Sequence, residues 1–195
     1  FDDLCAIDAE QRADWHRILI DLWIDGNPVG KGNGWEPYPS SLRIVNWIKW
    51  TLAGNLMEER WLQSLALQVR FLFQNLETHI MGNHLFANAK ALLFAGSFFD
   101  GNEAKSWRET GCKMIEQELA EQLLDDGGNF ELSTMYHMIF LEDLLDLTNI
   151  LSVYGDPVPD GIKDGISSMY YWLTVMCHPD GEISFFNDAA LGITP

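Results

Sequence analysis

The sequence predicts an all-α protein of antiparallel helical hairpins that close into a full or partial (α/α) toroid. Three observations lead there. Apolar residues recur at helical spacing in seven separate stretches, short Gly/Asp/Asn turns divide several of them, and no stretch reads convincingly as a strand. No fixed-period repeat is visible, which disfavours a tetratricopeptide-like array.

In chain order, Asp8 followed by Gln11 reads as a capping box opening a helix that runs to about Gly26, with Trp15, Ile18, Leu19 and Leu22 as its apolar stripe. A Gly/Pro-rich loop over Asn27 to Pro39 follows, carrying Trp35 and Tyr38 as exposed aromatics; a loop this long in a helical domain suits binding, or is surface decoration. Ser40 or Ser41 caps the next helix, with Ile44, Trp47, Ile48 and Leu52 on one face. From Leu56 to Glu77 the apolar residues spread around most of the circumference, which predicts a helix covered on most sides. Further helices are expected at about Asn83–Phe99, Asn102–Leu123, Leu132–Tyr154 and Asp160–Cys177. Residues 1–178 thus form the helical domain, and 179–195 a turn-rich tail without helical period.

Composition narrows the function. With 47% hydrophobic residues, 8 Trp and 11 Phe, the chain can bury a sizeable core, so disorder is disfavoured. A net charge of −17 argues against nucleic acid and anionic lipid, both of which call for clustered Lys and Arg. Cys5, Cys112 and Cys177 lack metal-ligand spacing; neither a metal site nor a cofactor is expected, and one disulfide stays open. No stretch approaches the ~18 uninterrupted apolar residues of a spanning helix, so membrane insertion is not expected.

Chemistry concentrates in two blocks: Gly82-Asn83-His84-Leu85, with the small residues Ala87, Ala89, Ala91 and Ala95 after it, and Glu131 to His137, which contains Tyr136. They supply an amide, two imidazoles and a phenol, the groups needed to hold a carboxylate and move a proton beside it. Plain readings compete: Asn83 as a helix cap, His84 as a core or surface histidine, Tyr136 as a core residue with its hydroxyl tied off. Asn88 and Lys90 are expected on other faces of the Asn83 helix. Tyr136 and His137 lie about 100° apart on a helix, so only one is expected to face a given cleft. Arg43 suits a carboxylate, of substrate or of a neighbouring acid. Glu142, Asp143 and Asp146 at helical spacing describe a solvated face.

Together these blocks resemble the heparinase II/III family of polysaccharide lyases. The resemblance rests on Trp35-Glu36-Pro37-Tyr38-Pro39-Ser40-Ser41-Leu42-Arg43, the Asn83-His84 block, the Asp126–His137 block, and the closing Pro179-Asp180-Gly181 and Phe186-Asn187-Asp188 turns, in order across most of the chain. It implies an N-terminal toroid followed by a β-sandwich domain, with this chain stopping about where the second would begin. It also implies cleavage of uronic-acid-containing polysaccharide by β-elimination, in the periplasm or outside the cell. On this resemblance Asn83, with His84, holds the uronate carboxylate and Tyr136 is the general acid. Arg43, Trp35, Tyr38 and His137 contact substrate or line subsites, and the sandwich supplies the remaining acid or base. The alternatives are a non-catalytic glycan-binding or scaffold domain that stacks sugars on Trp35 and Tyr38, and a hydrolase using Glu131 with a later acid.

Overall fold

Seven α-helices and three short 3₁₀ turns make up the described part of the computed structural model, which comprises residues 1–80 and 82–190. The helices are α1 (Ala13–Gly26), α2 (Pro37–Leu52), α3 (Glu59–Gln74), α4 (Gly82–Phe98), α5 (Asn102–Gln122), α6 (Thr134–Tyr154) and α7 (Asp160–Met176). Among the described residues there is no strand, only isolated bridges at Leu123–Asn129 and Cys177–Ile183. The chain divides into two compact units, Phe1–Gly111 and Cys112–Pro195, with the division inside α5.

In the first unit, α2 starts on Pro37, a residue suited to the first turn because its missing N–H has no helical partner to lose. Ser40 and Ser41 therefore lie inside the helix and do not cap it; Ser41 returns its hydroxyl to the Pro37 carbonyl at 2.8 Å. The expected Asp8 cap does not form either. Asp8 adopts φ 59°, makes no side-chain capping bond, and precedes a 3₁₀ turn at Ala9–Arg12.

The stripe expected to bury α1 is also displaced. Trp15, Ile18 and Leu22 are exposed, and His16 and Ile20 face inward instead. Polar and aromatic contacts dock this helix: Asp21 accepts from the Trp61 indole at 2.8 Å, and the Arg17 guanidinium lies 5.7 Å from the Trp50 and Trp61 rings. On α3 the buried residues form one face, Trp61, Ser64, Leu65, Gln68, Val69 and Leu72, while Leu67 is exposed. The helix covered all round is α4, buried without interruption from Leu85 to Gly96.

α5 reaches α4 through glycines. A Cβ on Gly111 would stand 2.8 Å from the Leu93 nitrogen and 2.9 Å from the Ala89 oxygen. One on Gly96 would stand 2.6 Å from the Arg108 nitrogen. The pairing of 96 with 108 and of 111 with 93 is that of an antiparallel hairpin, and the small residues at 89 and 95 make the close approach possible.

The second unit is built on the α6–α7 hairpin. Ser133 caps α6, and Gly155 closes it at φ 72°, a left-handed conformation that favours glycine. The tail folds back on the start of α6: Asn187 donates to the Glu131 carbonyl at 3.0 Å, Thr134 bonds the Ser184 carbonyl, and Ile183 packs with Met135 and Met138. No disulfide joins any two of Cys5, Cys112 and Cys177. No helix among the described residues is long and apolar enough to cross a membrane.

Candidate functional site

The loop after α1 returns the chain over its own core. Trp35 is buried, not exposed: its indole donates to the Asn27 carbonyl at 3.2 Å and is flanked by Trp23 and Phe71 at 5.6 and 5.3 Å between ring centres. Two residues on, α2 begins and carries Tyr38 outward. An open cleft of about 590 Å³ is lined by this loop, by Phe71 at the end of α3, and by Glu77 and His79 of the following connection.

Tyr38 stacks on His84 with ring centres 4.3 Å apart and planes 23° from parallel. His84 Nδ1 lies 3.1 Å from Glu77 Oε1. The Glu77 carboxylate, 7% exposed, also accepts from Asn88 Nδ2 at 3.0 Å, and the Glu77 backbone N–H donates to Asn88 Oδ1 at 2.9 Å. Asn88 Nδ2 is 3.1 Å from the Ser41 hydroxyl, which ties the network to α2. Asn83, half-buried, precedes His84 on the first turn of α4.

Two of these partners escape a reading of the sequence. Asn88 lies one turn after His84 and so on the same face, not on another face as expected. Glu77 sits in a loop with no local signal of its role; only the pairing of its backbone and side chain with Asn88 reveals it. A buried carboxylate needs such partners, because removing it from water without them costs several kcal/mol or more.

Arg43 is enclosed in the core of the same unit. Nε donates to Gln68 Oε1 at 2.6 Å and an NH₂ group to Ser40 Oγ at 3.2 Å, with the guanidinium 3.8 Å over the Trp23 ring. Burial pushes its pKa down to about 9, and it stays charged at neutral pH. At 4% exposure it holds the loop–α2–α3 junction and presents no surface to a polymer. Lys90 is buried as well, its amine 5.8 Å from the Phe94 ring centre.

Tyr136 and His137 belong to the second unit. Tyr136 is half-buried against the Met135, Met138 and Ile183 cluster. His137 is fully buried, stacked on Trp172 at 4.3 Å, and its Nε2 donates to the Met169 carbonyl at 3.1 Å. Its Nδ1 has no hydrogen-bond partner among the described residues, and burial lowers its pKa. Of the adjacent pair, the tyrosine is therefore the accessible one. Glu142, on the α6 acidic stretch, is exposed, with Asp143 and Asp146 half-buried.

The Heparinase II/III N-terminus family model matches residues 44–193. A heparin-sulfate lyase of Pedobacter heparinus is 38% identical over 193 residues, covering 86% of this chain and 27% of that protein. One from Bacteroides stercoris is 34% identical over 113 residues, covering 56% of this chain and 17% of that protein. The chain thus spans about a quarter or less of the length of these relatives. Among solved structures, heparinase III superposes with a TM-score of 0.73 at 20% identity, over 86% of this chain and 28% of that one. The heparan sulfate lyase HepC from Pedobacter heparinus superposes with a TM-score of 0.66 at 23% identity, over 95% and 31%. These likenesses give the all-α, (α/α) toroid class expected from the sequence. With its family model matched over most of its length, the chain belongs to the heparinase II/III N-terminal family.

Proposed function

We propose that this chain is the toroid part of a polysaccharide lyase that cleaves a uronic-acid-containing glycan by β-elimination. The observation that carries the reading is His84, next to Asn83 on α4 and bonded to Glu77 of the cleft wall, with Glu77 fixed by the buried Asn88 and Ser41, in a chain whose relatives are heparin-sulfate lyases.

The chemistry follows from the residue types. The proton alpha to a uronate carboxylate is barely acidic while that carboxylate keeps its charge. A donor aimed at it stabilises the enolate-like transition state; removing one such donor costs about 3–4 kcal/mol. The Asn83 carboxamide is suited to this, and the Tyr136 phenol to protonating the leaving glycosidic oxygen. Arg43 contributes through the packing beneath the cleft. The remaining acid or base, and a β-sandwich domain to carry it, belong to the same proposal. So does a periplasmic or extracellular location, where polymeric substrate is met.

A net charge of −17 opposes densely sulfated chains, and Arg43 and Lys90 are buried and offer no exposed cation to offset it. A uronate polymer of lower charge density fits better. The non-catalytic glycan-binding reading relied on Trp35 and Tyr38 as a pair of stacking platforms; Trp35 is enclosed, and Tyr38 is already stacked on His84.

The test is an ultraviolet assay for the unsaturated uronate, run on the longest form of the protein its gene encodes against a panel of uronate polysaccharides. Product should form. Asn83→Ala should lower kcat roughly 10²–10³-fold and Tyr136→Phe roughly 10²–10⁴-fold, with helical circular dichroism retained. Full activity in both variants would remove the mechanism. Binding without product would leave a glycan-binding protein, and new reducing ends without the ultraviolet band would mean hydrolysis.

A further inference from the structure

The partner of His84 decides what its second nitrogen can do. A carboxylate only accepts hydrogen bonds, so the ring nitrogen 3.1 Å from Glu77 Oε1, Nδ1, carries a proton. The orientation of Glu77 is itself fixed. Asn88 must turn its oxygen to the Glu77 backbone N–H at 2.9 Å and its NH₂ group to the carboxylate at 3.0 Å; flipping the amide would break both contacts. Ser41 holds Asn88 from the far side at 3.1 Å and commits its own proton to the Pro37 carbonyl. Asn88 and Ser41 are fully buried, so water does not compete for these bonds. The His84 side chain is 34% exposed, its face is covered by Tyr38, and Nε2 has no partner among the described residues.

We infer that Glu77 is a positioning residue that holds His84 as the Nδ1–H tautomer and leaves Nε2 as the nitrogen the ring offers to substrate. The inference rests on the reading of His84 as a site residue and deepens it. Held this way, a neutral His84 presents a lone pair at Nε2. It does not donate to a uronate carboxylate, the role the family resemblance implies for it; that role falls to Asn83. What it can do is accept a proton, and the Glu77 carboxylate then offsets the charge of the imidazolium formed, as an acid behind a catalytic histidine does. In an elimination the proton alpha to the carboxylate passes to Nε2. The C–H electron pair becomes the new double bond. The bond to the glycosidic oxygen breaks with its pair, and a separate acid protonates that oxygen.

The experiment is nitrogen-edited NMR of histidine ring signals in the 195-residue chain, at a pH where His84 is neutral, with His84 assigned by its loss in His84→Gln. The expected result is a protonated Nδ1 and a bare Nε2. In Glu77→Gln the pattern shifts toward the Nε2–H form that free imidazole prefers, while the buried His16 ring of the same unit, unchanged, reports an intact fold. A bare Nδ1 in the unaltered protein overturns the inference whether or not the variant folds, and so does an unchanged pattern in a folded Glu77→Gln. In the protein assayed for elimination, Glu77→Gln should lower kcat on the order of 10²-fold with KM little altered; an unchanged kcat with a switched tautomer also overturns it. A protein that forms no unsaturated product counts against the lyase reading alone, because the tautomer measurement uses no substrate.

Discussion

The two nitrogens of His137 meet opposite environments. Nε2 donates to the Met169 carbonyl, while Nδ1 is buried with no acceptor for a proton among the described residues. Charging the ring would place an N–H⁺ against apolar surroundings, and this desolvation is the main reason its pKa lies below the ordinary 6.5. The sign of the pH effect follows. Below 6.5 the unfolded chain binds the proton and the folded chain does not, so stability falls as pH drops through that value. The stability is fully present above it. The slope from this one group is at most ~1.4 kcal/mol per pH unit. Chemical denaturation of the native chain and His137→Gln across this range should show the native protein losing stability more steeply as acid is added; parallel curves would mean that His137 is not held neutral. His84, by contrast, is one-third exposed and bonded to a carboxylate. The sequence offers both as site histidines and contains nothing that separates them, because the separating groups, Met169, Trp172 and Glu77, lie 32, 35 and 7 residues away in the chain.

At the scale of elements, the α4–α5 contact has the least tolerance. Gly111 sits where a methyl group would meet helix backbone at under 3.0 Å, and backbone cannot rotate aside as a side chain can. Ala at this position would gain up to ~1 kcal/mol of helix propensity against an overpacking cost of about 1–3 kcal/mol. Gly111→Ala should therefore lower the denaturation midpoint, whereas Gly26→Ala, which meets nothing within 4 Å, should not; equal effects would argue against the close approach. The alanine series on α4 signals this contact in the sequence. The orientation of α1 is not signalled in the same way. Its stripe of Trp15, Ile18, Leu19 and Leu22 has better helical periodicity than the inward face, yet His16, Ile20 and the Asp21–Trp61 bond decide how the helix docks. Periodicity marks an apolar face without marking what covers it.

For the whole molecule, charge is the dominant long-range property. At −17 the chain repels an anionic polymer, and among the described residues no Lys or Arg lines the cleft to reverse the local field, Lys31 being an exposed cation on its loop. Raising salt from about 10 mM to about 150 mM shortens the screening length from ~30 to ~8 Å. KM for a uronate polymer should then fall, the reverse of what a cation-steered enzyme does. Steady-state kinetics across that range check it; a rising KM would mean that local cations govern substrate capture.

The sequence by itself determined the all-α class, the seven helices and most of their limits, the family, and the two blocks that carry amide, imidazole and phenol. Those features are written in spacing and local chemistry, where each residue's signal lies within a few turns of itself. The tertiary structure decided which of the singled-out residues remain accessible. It enclosed Trp35, Arg43 and His137, left Tyr38, Asn83, His84 and Tyr136 partly open, and added Glu77, Asn88 and Ser41 to the His84 network. Burial and hydrogen-bond partnership depend on residues brought together from distant positions, as Ser41 and Asn88 are across 47 residues, and no local pattern encodes that meeting.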